Sequence, residues 1–268
     1  MAIINVTPDS FSDGGEYMEM ESAIAHAEQA LEQGADILDI GGESTRPGSG
    51  RVSEEEEIAR VVPLVEDLAK RFDAPISVDT SKKSVAERVL DAGAEIINDI
   101  SGLRFEPEMA EVVAEKKAGI VLMHSRGDFD EMHSLEPVED IFGEVVRGIS
   151  EGVAKCRTAG IEPERICVDP GIGFGKTLEQ NLELIRSLAA LKETLDGMPM
   201  LVGLSRKSFI GNVLGGAPVS QRLNGTIAAN AIALMNGGDI IRVHDVRPHK
   251  DLIEIFKAAH GSDLNDEK

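Results

Sequence analysis

The sequence predicts an α/β protein folded as a single-domain (β/α)8, or TIM, barrel. Its 268 residues are a typical length for one such barrel. Eight short apolar segments alternate with longer helical patterns along the chain, as strands and helices do in this fold. A turn from helix to strand, made of Gly, a small residue and an acidic residue, recurs at 34–36, 93–95 and 237–239. A doubly wound open sheet is the structural alternative.

The eight apolar segments are predicted to be parallel strands, because strands that are covered on both faces are nearly continuous in apolar residues. In chain order they are Ala2–Val6, Asp36–Ile40, Pro75–Asp79, Glu95–Asn98, Gly119–Met123, Arg165–Asp169, Pro199–Leu204 and Asp239–Val243.

The segments between the strands have helical periodicity and recognisable ends. Ser53, with Glu56 three residues later, forms a capping box, and Pro107 suits a first helical turn. The predicted helices are Glu21–Gln33, one that begins after Ser53, Lys82–Ala92, Pro107–Lys117, Val138–Ala159, Leu178–Leu195, Val219–Met235 and His249–His260. We expect residues 1–268 to form one domain, with a frayed polar tail at 261–268.

The composition argues against several classes of protein. The chain has 48 acidic and 27 basic residues, a net charge of −21, which repels nucleic acid and anionic membranes. Any anion site must therefore be a local cluster of cations. No apolar stretch is long enough for a transmembrane helix, and no signal peptide is evident. The two cysteines, Cys156 and Cys167, lack metal-like spacing and do not suggest a disulfide scaffold, which fits a reducing cytoplasm.

Polar residues stand at the ends of the predicted strands, where barrels of this kind carry their catalytic groups. Asp79, Asn98 and Asp169 end the third, fourth and sixth strands. Two carboxylates and an amide grouped there suit a flat, donor-rich heterocycle, such as a 2-amino-4-oxo pyrimidine ring. The alternative is that one or two of them cap strands or helices. We assign that structural role to Asp99, because its side chain alternates with that of Asn98.

Cations follow the last two predicted strands. Ser205, Arg206 and Lys207 come after the seventh strand, and Arg242 and His244 come at the end of the eighth. Loops at these two places often bind phosphate in this fold, and arginine offers a bidentate fork for it. In so acidic a chain the cluster predicts an anion site, and the alternative is a solvated basic start of a helix.

Other catalytic patterns are not evident. The glycine-rich run at 171–176 matches neither the spacing of a P-loop nor that of a dinucleotide fingerprint. We interpret it as a turn that brings Phe174 over the site. No Ser/His/Asp or Cys/His arrangement for nucleophilic catalysis and no zinc motif is found.

Several segments, in chain order, resemble the signatures of the dihydropteroate synthases. The long matches are NVTPDSFSDGG at 5–15, GGESTRPG at 41–48 and DPGIGFGK at 169–176. Shorter matches lie at 77–80, 97–100, 205–208 and 242–246. The resemblance spans nearly the whole chain, and the long motifs are specific.

The resemblance implies a role for each matching residue. The implied pterin contacts are Asp79, Asn98, Met123, Asp169 and Lys207. The implied pyrophosphate contacts are Arg46, Arg242 and His244, and the implied magnesium-linked residue is Asn5. The implied 4-aminobenzoate pocket, where sulfonamides compete, contains Phe11, Thr45, Pro47, Phe174 and Ser208. The residues expected to be catalytic are Asp9, Arg46, Asp79, Asp169 and Lys207. Arg206 would face the benzoate carboxylate or the product exit.

The reaction implied by the resemblance joins 6-hydroxymethyl-7,8-dihydropterin pyrophosphate to 4-aminobenzoate on the route to folate, with Mg²⁺ as cofactor and a homodimer as the assembly. Loss of pyrophosphate would leave a methylene cation conjugated to the pterin, which carboxylates can stabilise. The arylamine is neutral at pH 7 and needs no strong base, so a missing nucleophile triad is expected. Loops 7–15 and 43–51 would close over the substrates and exclude water.

Some features depart from the family. A short segment normally precedes the first strand, so the barrel floor is expected to be open here or the sequence to be incomplete. Ala2 stands where Gly is common, and 123–132 follows the pattern only in part. The alternatives are a pterin-binding methyltransferase barrel, which needs no pyrophosphate subsite, and a catalytically silent pterin-binding paralogue. The cation cluster and the intact loops favour the synthase.

Overall fold

The computed structural model describes residues 1–6, 16–44, 49–129 and 136–260, with the backbone alone at 16–19. The strands in this part of the chain are β1 Ala2–Asn5, β2 Leu38–Gly41, β3 Ile76–Asp79, β4 Ile96–Asp99, β5 Gly119–Met123, β6 Ile166–Asp169, β7 Leu201–Val202 and β8 Ile240–Ile241. The helices are α1 Glu16–Glu32, α2 Glu54–Arg71, α3 Lys83–Asp91, α4 Met109–Glu115, α5 Ile141–Ala159, α6 Leu178–Arg186, α7 Leu188–Thr194, α8 Ser208–Val213, α9 Leu223–Met235 and α10 Val246–His260.

The strands form a closed ring. Strands β1 to β6 make one parallel sheet in chain order, and β7 and β8 make a parallel pair. Two parallel bridges, Ala2 with Val243 and Val168 with Met200, join β8 to β1 and β6 to β7. The predicted (β/α)8 barrel is therefore confirmed, and the open doubly wound sheet is not.

Alternation along the strands divides their side chains into two layers. One set packs between the ring and the helices in the main core, as Ile4, Leu38, Ile40, Val78, Ile97, Leu122 and Val168 do. The opposite set points into the barrel, where an apolar plug fills the lower part with Met1, Ile37, Ile96, Val121, Cys167, Leu201 and Ile240. Above the plug the inward positions become polar, which places a site at the C-terminal mouth.

Some local signals in the sequence are reproduced, although Pro107 lies just before the N-cap of α4 and not in its first turn. The three recurring turns each place a glycine in the left-handed region, with φ of 96° at Gly34, 114° at Gly93 and 101° at Gly237. The Ser53 side chain accepts a hydrogen bond from the Glu56 N–H at 3.2 Å, but the Glu56 carboxylate pairs with Arg60, so only half of the predicted capping box is observed. Asp99 accepts from two backbone N–H groups of the turn after β4, so its predicted structural role is confirmed.

Several element boundaries were predicted wrongly. The expected single helix at 178–195 is broken at Ser187 into α6 and α7, and the side-chain amide of Asn236 donates to the Ile185 carbonyl at 2.8 Å near this break. A 3-10 turn precedes α9, which starts at Leu223, and α10 starts at Val246, earlier than expected. The six-residue helix α8 was not predicted, and β7 and β8 are shorter than expected. None of the helices described here is both long enough and apolar enough to span a membrane.

Candidate active site

Three predicted site residues meet at the barrel mouth around one guanidinium. Arg242, which follows β8, donates from Nη2 to Asp79 Oδ2 at 2.9 Å and from Nε to Asp39 Oδ2 at 2.5 Å. Asn98 Nδ2 donates to the same oxygen of Asp39 at 3.2 Å. The structure therefore links a predicted pyrophosphate residue, Arg242, directly to the predicted pterin residue Asp79, and through Asp39 to the predicted pterin residue Asn98.

Asp39 was not predicted as a site residue. It lies inside β2 and is fully buried, whereas sequence reasoning considered only the residues that end the strands. Strand alternation could have identified Asp39 from the sequence. It stands two residues before Gly41, the end of β2, and therefore points into the barrel. A carboxylate at an inward position above an apolar plug requires a polar partner, and Arg242 supplies it.

Asp169 and Lys207 form the opposite side of the mouth. Asp169 Oδ1 accepts from the Gly171 N–H at 2.7 Å, and Lys207 Nζ donates to the Ile172 carbonyl. A Cβ added to Gly203 would lie 3.8 Å from Lys207 Nζ and 4.0 Å from Asp169 Oδ2. Because Gly203 has no side chain, a space that we call the slot remains between these groups and its bare backbone, and a Cβ would enter it without a clash.

Burial shifts the pKa values of the charged groups in this slot. Loss of solvent raises the pKa of Asp79 to about 7, although nearby Arg242 opposes the rise. Burial also raises the pKa of Asp169 and lowers that of Lys207 to about 8, with the attraction between these two groups opposing both shifts. Groups perturbed in this way cluster at functional sites, because burial and neighbouring charges are the means by which such sites tune the pKa values of their groups.

An apolar cluster lines one side of the mouth. Met123, which ends β5, packs with Ile100 and Phe129, and Phe105 and Phe174 pack against them. Met123, an implied pterin contact, and Phe174, an implied 4-aminobenzoate contact, thus belong to one cluster, and Lys207 Nζ lies 4.6 Å from the Phe174 ring centroid.

Lys176 holds the turn that carries Phe174. Its Nζ donates to the carbonyls of Gly171 and Phe174 at 2.8 and 3.0 Å, and to that of His124 at 3.2 Å. An ammonium group has three donors, so three carbonyls satisfy it. The interpretation of 171–176 as a shaped turn rather than a phosphate loop agrees with these contacts.

The remaining predicted cations have different surroundings. His244 Nδ1 lies 2.9 Å from Ser205 Oγ, which orients the ring. Arg206 forms a two-point ion pair with Asp245, at 3.0 and 2.5 Å, so its guanidinium is already engaged. Ser208 begins α8 beside Lys207 and is exposed.

The loop at 43–51 after β2, the second loop, is anchored at both ends by buried charges that were not predicted. Glu43 Oε1 accepts from the Val52 N–H at 2.6 Å and from Lys82 Nζ at 3.1 Å. Lys82 also pairs with Glu57, and all three charged side chains are nearly buried. Beyond this anchor, Arg51 lies over the rings of Phe129 and Phe105, at 5.0 and 5.4 Å from their centroids.

Some predicted site residues lie outside the described part of the chain. They are Asp9, Phe11, Thr45, Arg46 and Pro47, together with the tail at 261–268. Asn5 is described, and its Oδ1 lies 3.5 Å from the position of a Cβ added to Gly41. Among the described residues, no group of three or more His, Cys, Asp or Glu side chains is placed to hold a metal ion.

A closed barrel with buried carboxylates, an amide and cations gathered at its mouth is typical of an enzyme that binds a small polar substrate there. The pterin binding enzyme family matches residues 1–244. The dihydropteroate synthase of Synechocystis sp. is 47% identical over 258 residues, which cover 96% of this chain and 89% of that protein.

Two solved structures are similar along their whole length. The dihydropteroate synthase of Clostridium difficile, in the presence of pteroic acid, has a TM-score of 0.91 and 42% identity, covering 97% of this chain and 95% of that one. That of Xanthomonas albilineans, with 4-aminobenzoic acid, also has a TM-score of 0.91 and 42% identity, covering 98% and 93%. The chain therefore belongs to the dihydropteroate synthase family of pterin-binding enzymes, which are transferases, as its motifs indicated.

Proposed function

We propose that the protein condenses 6-hydroxymethyl-7,8-dihydropterin pyrophosphate with 4-aminobenzoate to give 7,8-dihydropteroate and pyrophosphate. The observation that carries this proposal is the arrangement of Asp79, Asn98, Asp169 and Lys207 around the slot beside Gly203. The relatives solved with pteroic acid and with 4-aminobenzoic acid support both halves of the reaction.

The slot matches the hydrogen-bonding edge of a pterin. Asp79 and Asp169 provide carboxylate acceptors for the ring N–H and amino donors, while Lys207 donates to a ring oxygen or nitrogen. Met123 covers one face of the ring, and the bare backbone of Gly203 admits it. A ring without donors would give the two buried carboxylates no hydrogen bonds from the ligand in place of water, which selects against it.

The leaving group would be bound at the side of the mouth formed by Arg242 and His244, with Arg46 from the second loop. The amide oxygen of Asn5 is a hard oxygen ligand of the kind that Mg²⁺ prefers. Asn5 is the last residue of β1 and points into the barrel. Mg²⁺ commonly binds through few protein oxygens together with substrate phosphates, so a single amide fits. When bound there, the ion would neutralise charge on the departing pyrophosphate.

The chemistry that suits these residues is dissociative. The C–O bond breaks first, its electron pair leaves with pyrophosphate, and the methylene carbon becomes a cation conjugated to the pterin. The carboxylates of Asp79 and Asp169, with Asp9 from the first loop, lower the energy of that charge. The arylamine lone pair then forms the C–N bond, and its proton passes to solvent.

The arylamine would bind beside the apolar cluster. Phe174 is held there by the Lys176 turn, and Ser208 is exposed at the start of α8, next to Lys207. The loop residues Phe11, Thr45 and Pro47 would complete this pocket. A pocket with apolar walls positions the ring and excludes water, which would otherwise capture the cation.

Pyrophosphate release tests the proposed reaction. With the pterin pyrophosphate, Mg²⁺ and 4-aminobenzoate, release is expected to require the arylamine and to yield dihydropteroate in equal amount. Chelation of the metal is expected to slow turnover by at least about tenfold, since charge on the leaving group would lose its neutralisation. Tight pterin binding with no turnover would contradict the proposal and favour a methyltransferase or a silent paralogue.

We also propose that the protein works as a homodimer through the face formed by α8, α9 and α10. Helix α9 is composed largely of apolar and small residues, yet its buried residues are only Thr226, Asn230 and Ala233. Such a helix normally buries its remaining surface against a partner. The exposed large apolar residues of the described chain all lie on this face or just before α9: Val213, Leu214, Val219, Ile232, Met235 and Ile255.

A charge placed on this face is expected to separate the subunits. Ile232→Glu would bury an unpaired carboxylate in the interface and weaken the dimer by at least about tenfold, measured by sedimentation velocity. Ala154→Glu, on the exposed side of α5, is the matched control and should leave the dimer intact. A wild-type protein that sediments as a monomer would refute the proposed assembly.

A further inference from the structure

We propose that Asp39 is a positioning residue, which fixes both the Arg242 guanidinium and the orientation of the Asn98 amide for the pterin substrate. The inference rests on the proposed function, because it assigns a role within the same site. Asp39 is not one of the site residues that the sequence motifs imply, because it lies within β2 and not at its end.

The contacts of Asp39 show that it joins two parts of the site. Its Oδ2 accepts from Arg242 Nε at 2.5 Å and from Asn98 Nδ2 at 3.2 Å. Its Oδ1 is buried and has no hydrogen-bond partner. A buried carboxylate with one oxygen unsatisfied is costly, and such a group needs a compensating role.

The two carboxylates that bind Arg242 differ in exposure. The Asp39 side chain is 0% exposed, whereas that of Asp79 is 13% exposed and lies at the end of β3. A pterin that donates to Asp79 competes with Arg242 for that carboxylate, but it cannot reach Asp39. Asp39 therefore retains Arg242 through Nε while the other guanidinium nitrogens turn toward the substrate.

Asp39 also decides which atom Asn98 presents to the ligand. An ionised carboxylate only accepts hydrogen bonds, so the amide nitrogen of Asn98 must face it. A flipped amide would place two acceptors against each other at the 3.2 Å separation. Because the amide nitrogen of Asn98 donates to Asp39, the amide oxygen of Asn98 faces the ligand and can accept from a donor on the ring. This acceptor adds to the preference of the site for a donor-rich heterocycle.

The variant Asp39→Asn tests this role, because it keeps the side-chain volume and removes the charge. An asparagine can donate to Asn98 and so permits the flipped amide, and it releases Arg242. We expect the KM for the pterin pyrophosphate to rise by about tenfold or more, because charge-assisted hydrogen bonds are lost. The KM for 4-aminobenzoate should change by less than about twofold, because neither contact faces that pocket.

Ser77→Ala is the matched control. Ser77 lies opposite Asp39 in the register of β2 and β3, it is equally buried, and its Oγ also lacks a partner. It contacts neither Arg242 nor Asn98 through a hydrogen bond, so the pterin KM should remain at the wild-type value. Melting temperatures of both variants show whether the barrel is intact.

A double-mutant cycle separates positioning from packing. If Asp39 acts through the amide, Asp39→Asn combined with Asn98→Ala will weaken pterin pyrophosphate binding, measured calorimetrically, by less than the product of the single effects. Additive effects, or an equal rise in both KM values accompanied by a lower melting temperature, would overturn the inference. A wild-type protein without turnover would instead overturn the proposed function, so the two failures are distinguishable.

Discussion

Lys207→Ala is expected to lower kcat/KM for the pterin pyrophosphate by about 10²–10³-fold, which is typical for the loss of one preorganised charged donor in a buried site. Lys207 Nζ faces Asp169 and the Phe174 ring beside the bare backbone of Gly203. Its removal takes away a hydrogen-bond donor to the ring and leaves Asp169 without its neighbouring cation. Steady-state rates of pyrophosphate release measure the effect.

The control for this variant is Lys192→Ala. Lys192 pairs with Asp239 on the protein surface, at 2.6 Å and away from the mouth, so its loss should change kcat/KM by less than about twofold. A Lys207→Ala enzyme that retained half of the wild-type activity would remove Lys207 from the site and would require another donor for the pterin ring.

Asp79→Asn is expected to weaken pterin binding by about 100-fold and to abolish part of its pH dependence, because an amide offers the ring only one acceptor and no charge. The pKa of Asp79 lies at about 7, and the carboxylate form is the one that accepts the ring donors. Wild-type affinity should therefore rise as the pH increases through 7, until the loss of charge on Lys207, whose pKa is about 8, opposes the rise. Calorimetric titrations between acidic and mildly alkaline pH would show this rise.

The same titrations with Asp79→Asn distinguish the protein group from the substrate. The rise due to Asp79 should vanish in the variant, whereas any contribution from the phosphates of the ligand remains. Asp91→Asn alters an exposed carboxylate that pairs with Lys116 and serves as the control. If Asp79→Asn kept the full wild-type pH profile, the carboxylate would not be the acceptor.

The parts of the fold that could be predicted from the sequence depend on local rules. Strand alternation correctly separated Asn98 from Asp99, and left-handed glycines correctly marked the turns into the strands. Helix α8 was missed because six residues contain too little of a helical period to recognise. The break at Ser187 lies beside a contact from Asn236, far along the chain, so no local pattern announces it.

The site was predictable to a similar extent. The groups at the strand ends could be proposed as a site because the barrel fixes their positions at its mouth. The Glu43–Lys82–Glu57 cluster was not found, since ion pairs between distant segments leave no periodic signal. Asp39 was not predicted because it lies inside an apolar strand, where only its inward-facing position in the strand alternation marked it as a site residue.

The apolar plug beneath the mouth affects how proteins with this architecture can evolve. The plug is built from Met1, Val121 and Leu201 with their neighbours, and it shares no side chain with the polar layer above. Substitutions at the rim can therefore alter the discrimination between substrate and competing inhibitors while the barrel keeps its folding free energy. Gly203 is the exception, since under the proposed function a side chain there would enter the space assigned to the pterin ring.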